Sequence, residues 1–269
     1  MVLSAVPKAI GFVYALVMTV VLTYLWYSGR WNKKIGWLLL LVSAALGFFV
    51  FTPVAPYQFQ QLVLGDAKGL GAPLLVAAFG LLVVLILAVI FGRFFCGYLC
   101  PVGAVQEIAY RAPVPKVRVQ RKTLFQVIRG VIFVLFLFMA LALSVSLLVW
   151  FGIQDFFFLV FTAGSLVFIV LLVISLAFYR PFCRLICPYG VLLSLGAIPA
   201  PFKLRRTDAC IECGKCEKAC PTNEAKREDM KAECYLCGRC AEVCPVEGAI
   251  RYSRNVGQDD RDNSTLPGR

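Results

Sequence analysis

Histidine is absent from all 269 residues. Without an imidazole there is no ordinary axial ligand for haem b, and a Rieske centre, which needs two histidines, is excluded. Acidic residues are almost as scarce over most of the chain: Asp66, Glu107 and Asp155 are the only three before Asp208, and the other twelve follow. Groups for acid–base chemistry are therefore few in that stretch. No nucleotide motif is found, because Gly69 to Pro73 lack the strand, helix and acidic residue of a dinucleotide site and read as a helix start. Charged residues make up 16% of the chain against 60% hydrophobic, whereas a soluble domain has about a quarter charged. Such a chain belongs in a membrane, as an apolar domain followed by a charged one.

Five apolar runs are present, at about residues 9–27, 35–54, 70–91, 127–151 and 156–179. Each is near the roughly 20 residues a helix needs to cross the hydrocarbon core. The first reads as an uncleaved anchor, since a secretory signal has its positive charge in front and small residues at a cleavage site. Arg30, Lys33 and Lys34 follow the first run, Arg111, Lys116, Arg118, Arg121 and Lys122 follow the third, and Arg180, Arg184, Lys203, Arg205 and Arg206 follow the fifth. Cytoplasmic loops carry such excess Lys and Arg, so the N-terminus is expected outside a cytoplasmic (inner) membrane. That rule also accounts for the net charge of +12 without nucleic acid. The organisation predicted is an all-α polytopic membrane domain over 1–202, a small α+β domain over 203–253 and a disordered polar tail over 254–269.

The chain has twelve cysteines, and eight fall in two runs of the form C-x2-C-x2-C-x3-C-P, Cys210 to Pro221 and Cys234 to Pro245. In this pattern three thiolates of a tight loop reach one cubane and the fourth cysteine reaches the neighbouring cluster. The expected ligands are Cys210, Cys213, Cys216 and Cys244 for one [4Fe-4S] cluster, and Cys234, Cys237, Cys240 and Cys220 for the second. Paired zinc sites also use C-x2-C spacing, but the third cysteine, the x3 gap and the proline argue against them. A disulfide framework does not suit a reducing compartment. Residues 203 to 253 resemble the two-cluster bacterial ferredoxins, which implies single-electron transfer.

The other four cysteines form an internal repeat. Residues 91–105 and 178–192 align without gaps, pairing Arg93 with Arg180, Cys96 with Cys183, Cys100 with Cys187 and Pro101 with Pro188. Both copies follow a run directed inward, so they are expected as parallel repeats whose cysteines converge at the cytoplasmic surface. The i, i+4 spacing places both sulfurs on one helix face, with the proline ending or kinking that helix. Three readings stay open for Cys96, Cys100, Cys183 and Cys187: a further cluster or metal site, a redox-active pair, or inert buried thiols.

Two C-x3-C-P helices followed by a two-cluster domain resemble the membrane polyferredoxins of the NapH, NosR and MauN type, over about residues 70 to 250. The sequence departs from that pattern in an extra N-terminal crossing. The resemblance implies an electron-transfer subunit, working with redox partner proteins in a complex, that links the quinone pool or a cytoplasmic donor to a periplasmic reductase or maturation system. For quinol chemistry the candidate acid–base groups are Glu107 and Asp155, with Arg93, Arg129 and Arg180 available to a quinone anion or as helix-end anchors. A second hypothesis is a cupric-reducing assembly factor using the C-x3-C-P thiolates, since soft ligands select Cu(I). A third makes the membrane part a mere anchor.

Overall fold

A computed structural model describes residues 2–50, 55–70, 73–117 and 122–254. The expected tail lies outside the described residues but for Arg254, as do Arg118, Arg121 and the junctions at 51–54 and 71–72. The apolar runs fold as helices because a helix satisfies its own backbone where no water can. They are α1 (Val2–Tyr27), α2 (Lys33–Val50), α5 (Leu74–Phe91), α7 (Lys122–Leu143) and α9 (Ala163–Ala177), with α3 (Ala55–Val63) and α4 (Ala67–Leu70) between α2 and α5. Among the described residues, three stretches are long and apolar enough to cross a membrane: Ile10–Tyr27, Leu74–Phe91 and Lys122–Leu143.

The fourth and fifth runs depart from the expected spans. Helix α7 starts earlier and stops at Leu143, where Ser144 takes a left-handed φ of 52°. A 3-10 turn (Leu147–Phe151) and the short α8 (Ile153–Phe157) follow, separated by Gly152 at φ 50°. That glycine is required twice over: its φ suits no β-carbon, and the Gly164 backbone fills the space a side chain would need. Thr162 and Ser165 then close a capping box, and α9 runs for only 15 residues, about 22 Å.

The charged C-terminal part sits on one end of the helices. Strands β1 (Phe202–Arg206) and β2 (Ile250–Arg254) pair antiparallel, Phe202 opposite Arg254, and between them lie α11 (Lys215–Ala219) and α12 (Arg239–Glu242). Tyr252 Oη donates to Phe91 O at 2.7 Å at the end of α5, and Tyr27 of α1 meets Phe202 edge-on. Lys122, the first residue of α7, pairs with Glu224 at 2.7 Å. The Trp26–Trp31 stack between α1 and α2 lies against Gly238. Thus α1 and α5 end, and α2 and α7 begin, at the face that carries the ferredoxin-like part.

Two arms turn back from that face into the helical body. After α5 the chain makes a π-helical turn (Phe95–Leu99) and then α6 (Pro101–Tyr110); after α9 it makes a second π-helical turn (Phe182–Ile186) and then α10 (Pro188–Gly196). Pro101 lies against Gly47, late in α2, while Arg111 at the far end of α6 stacks on Trp37, early in α2. Likewise Tyr189 Oη donates to Leu81 O at 2.6 Å, halfway along α5, and Gly196 packs on Leu85 and Val89 nearer its end. Each arm therefore dives inward and α6 and α10 return. The proline does not end a helix here. It stands at the first position of the next one, where its missing N–H leaves no bond unmade.

Gly97 in the first arm is touched by the Tyr235 carbonyl of the ferredoxin-like part, so closely that a β-carbon would overlap it. Gly97→Ala is expected to cost about 1–3 kcal/mol, as overpacking does, and to loosen this junction. Limited proteolysis checks it: the variant should release a C-terminal fragment faster than the parent, and equal rates would show that the contact is slack.

Candidate iron–sulfur sites

The two C-x2-C-x2-C-x3-C-P runs fold alike. In each, the residue before the second cysteine is left-handed (Glu212 φ 52°, Leu236 φ 55°), and so is the glycine after it (Gly214 φ 69°, Gly238 φ 82°). The glycine then opens α11 or α12. These turns fold the three cysteines of a run around one space. One cavity is lined by Cys210, Cys213, Cys216 and Cys244, so the last cysteine of the second run closes the first site. A second is lined by Cys216, Cys220, Cys234, Cys237 and Cys240, with Arg205, Arg206 and Arg239 among the walls. Cys216 and Arg206 belong to both, so the cavities adjoin. Cys213 is exposed, whereas Cys216 is buried.

The third cavity is lined by Cys96, Cys100, Cys183 and Cys187, together with Ala55, Pro56, Arg93 and Tyr189. The structure thus brings the two distant pairs together. It places them inside the helical body rather than at the surface where the repeat led us to expect them: all four are buried, and Tyr189 beside them reaches the middle of α5. The arms carry them there. The π-helical bonds Cys100 N to Phe95 O (2.8 Å) and Cys187 N to Phe182 O (2.9 Å) widen each turn by one residue. This replaces the simple i, i+4 helix face.

Arginine from each arm braces the other. Arg180 donates to Cys96 O and to Gly97 O (2.7 Å), and Arg93 donates to Gly190 O (3.3 Å) and Ser194 Oγ (3.4 Å). Both guanidinium groups also lie over the ring of Tyr235, at 4.3 Å for Arg93 and 4.8 Å for Arg180. Tyr235 lines the second cavity and touches Arg93 of the third, so it is the wall between them.

Two buried carboxylates fix this junction. Glu107 accepts from Arg180 Nε (3.1 Å), Arg111 Nε (3.2 Å) and Arg239 of the ferredoxin-like part. Burial opposes its charge, but the three guanidinium groups prevail and hold its pKa down to about 2. On the other side Glu233, next to Cys234, pairs with Arg129 (3.2 Å) and Arg184 (3.5 Å). The candidate quinol residues are thereby recast. Glu107 is held as an anion by its three guanidinium partners, and Arg93, Arg129 and Arg180 brace the cysteine arms, Arg93 also lining the inner cavity. Asp155 lies far off, accepting from Thr162 Oγ1 at 2.5 Å.

Gln106 is a site residue that pattern reading missed. Fully buried, it accepts from Phe182 N (3.1 Å), which fixes its amide so that Nε2 donates to Cys183 Sγ (3.3 Å). Continuing the ungapped pairing puts Leu193 at the matching place and Ser194 opposite Glu107. Only the first copy makes this sulfur bond. The one available signal was a glutamine, followed by a glutamate, in an otherwise apolar stretch.

The thiol sets fit clusters better than single ions. Among the described residues, no three Cys, Asp or Glu side chains are grouped to hold one metal ion. Thiolates bound at 2.3 Å around a single zinc stand only roughly 3.8 Å apart, whereas a cubane spreads them over four corners. None of the twelve cysteines is in a disulfide.

Comparison with known proteins agrees. Residues 73–120 and 160–206 match a family model described as a 4Fe-4S binding domain, and residues 202–245 match one described as a 4Fe-4S dicluster domain. The first two segments start 87 residues apart (160 less 73), as do Cys183 and Cys96. The chain is an iron–sulfur protein with ferredoxin-type domains. Among curated proteins it is similar to "Putative electron transport protein YccM" of Escherichia coli (strain K12), at 32% identity over 169 residues, 56% of this chain and 46% of that protein. It is also similar to the uncharacterized proteins MJ0750 and MJ0749 of Methanocaldococcus jannaschii. The first is 31% identical over 155 residues, 52% of this chain and 63% of the relative; the second is 28% identical over 192 residues, 70% and 73%. The match thus spans about half to three quarters of each relative's length. No solved structure matches.

Proposed function

We propose that this chain is a membrane electron-transfer protein of the NapH, NosR and MauN type. Its ferredoxin-like part, about residues 203–253, holds two [4Fe-4S] clusters, and the C-x3-C-P arms hold a third. Cys210, Cys213, Cys216 and Cys244 would bind the first, Cys234, Cys237, Cys240 and Cys220 the second, and Cys96, Cys100, Cys183 and Cys187 the third. Such clusters supply single-electron transfer when bound. The observation that carries this reading is the serial order of the cavities: one reaches exposed Cys213, the next shares Cys216 with it, and the last lies behind Tyr235 at mid-depth of the helices.

The chain's own residues set up the arrangement. The arms exclude water from the inner thiols, Glu107 and Glu233 dock the second loop onto them, and Tyr235 fixes the separation of the two sites. The alternation of helix ends at the ferredoxin face supports a reading with five crossings and the arms as parallel repeats, that face with its arginines and lysines being cytoplasmic. Running partway through the membrane, the series suits transfer between a cytoplasmic donor or the quinone pool and a periplasmic partner within a complex. The copper reading is weaker, since Cu(I) needs thiolates gathered on one ion.

An anaerobic redox titration followed by EPR, on the full-length protein with iron and sulfide counted, tests this. Three reducible cubanes and about 12 iron per chain are expected. Clusters near the roughly −400 mV of plant-type ferredoxins point to a low-potential cytoplasmic donor, and values several hundred millivolts higher point to quinol. A chain with no reducible cluster would overturn the proposal.

A further inference from the structure

A cavity of about 410 Å3 opens between the helical and ferredoxin-like parts, with no cysteine in its walls. Its lining carries four cations, Lys33, Arg111, Lys116 and Arg239, against a single acid, Glu242. The Lys33–Glu242 pair, at 3.6 Å, has both side chains in water and so binds weakly. Arg111 and Arg239 already share Glu107 with Arg180, three guanidinium groups on one carboxylate. The cavity is left with a surplus of positive charge.

Its donors are also incompletely used. Lys116 is held in place over the ring of Tyr110 by its bonds to Ala112 O (2.7 Å) and Leu176 O (2.8 Å). An ammonium group has three donors, and these two bonds use two of them.

We infer that this cavity binds a phosphate group, carried by an anionic lipid headgroup or by a soluble phosphate. Planar guanidinium forks suit phosphate oxygens, and basic pockets beside membrane helices on the cytoplasmic side take lipid headgroups. Trp37, under Arg111 at 4.7 Å, belongs to the boundary region where such headgroups lie. The occupant would touch both parts of the protein at once. Pro221 and Arg239 line this cavity and also the one with Cys220, Cys234, Cys237 and Cys240, so a bound phosphate clamps that loop to the helices. The inference does not depend on which carriers the protein serves.

Native mass spectrometry of the full-length protein, released from neutral detergent, tests it with phosphatidylglycerol and phosphatidylcholine offered in equal amounts. Thermal unfolding with added inorganic phosphate is measured in parallel. Retention of phosphatidylglycerol over phosphatidylcholine by about tenfold or more is expected, falling by at least tenfold in Lys33→Gln/Lys116→Gln, with iron per chain unchanged. A rise in Tm with phosphate but no lipid preference, abolished in the double variant, also supports the site and identifies a soluble source. No response to either probe overturns the inference, and so does a lipid preference that the double variant keeps. Should the double variant fail to accumulate, Lys33→Gln alone, whose side chain is 61% exposed, is expected to show a smaller loss in the same direction.

Discussion

Replacing Glu107 by glutamine is expected to destabilise the protein by about 3–5 kcal/mol, the usual penalty for removing one partner of a buried ion cluster. The glutamine fits the space, but Arg180, 1% exposed, and Arg239 lose the charge that justifies their burial. Because these arginines come from the arm and from the ferredoxin-like part, the loss opens the junction between them. Thermal or denaturant unfolding, followed through the cluster absorbance of the full-length protein, should show the shift. A variant as stable as its parent would mean that Glu107 is not the docking anion. The pH dependence has a definite sign. An unperturbed glutamate titrates near 4.3, and Glu107 in the folded chain at about 2. Its contribution is therefore complete above about pH 4.3 and is lost as pH falls toward 2. Between pH 5 and 8 neither stability nor electron transfer should show an inflection from this residue.

Replacing Cys183 by serine should remove one whole centre and leave the others. Iron and sulfide per chain are expected to fall from about 12 to about 8 of each, with the signals of the two ferredoxin-type clusters retained. The selectivity follows from the separation of the cavities: Cys183 lines only the inner one, and Tyr235 stands between it and the next. If the parent itself carries only about 8 iron, the inner thiols are structural and the third centre is withdrawn. Loss of all iron would instead show that the arms are needed to fold the whole protein.

The ferredoxin-type runs were legible in sequence because everything that shapes them is local. Three cysteines, a left-handed residue and a glycine within seven positions make the loop wherever it is placed. The matched C-x3-C-P pairs were equally visible, and so was the convergence of their cysteines. Their depth was not. Arms that enter the helical body and return depend on what surrounds them, such as the small Gly47 that makes room for Pro101, and no short-range pattern reports that. The helix end at Ser144 was hidden for a similar reason, since apolar residues continue past it, whereas the break at Gly152 falls where the fourth run was expected to stop. Arg93 and Arg180 were noticed as charges in apolar surroundings, but their partners lie far away. Even the nearby bond from Tyr98 Oη to Leu236 O spans 138 residues.

The order of synthesis adds a last consequence of the Tyr235 wall. All four inner cysteines leave the ribosome before the residues that seal them, and Tyr235 is added 48 positions after Cys187. At 5–20 residues per second, elongation across that interval takes about 2–10 s. During it, the pocket lacks its outer wall, with Arg93 and Arg180 awaiting the tyrosine they will flank. Any group destined for the deepest thiols thus has its own window during translation, which the arrival of the final domain closes.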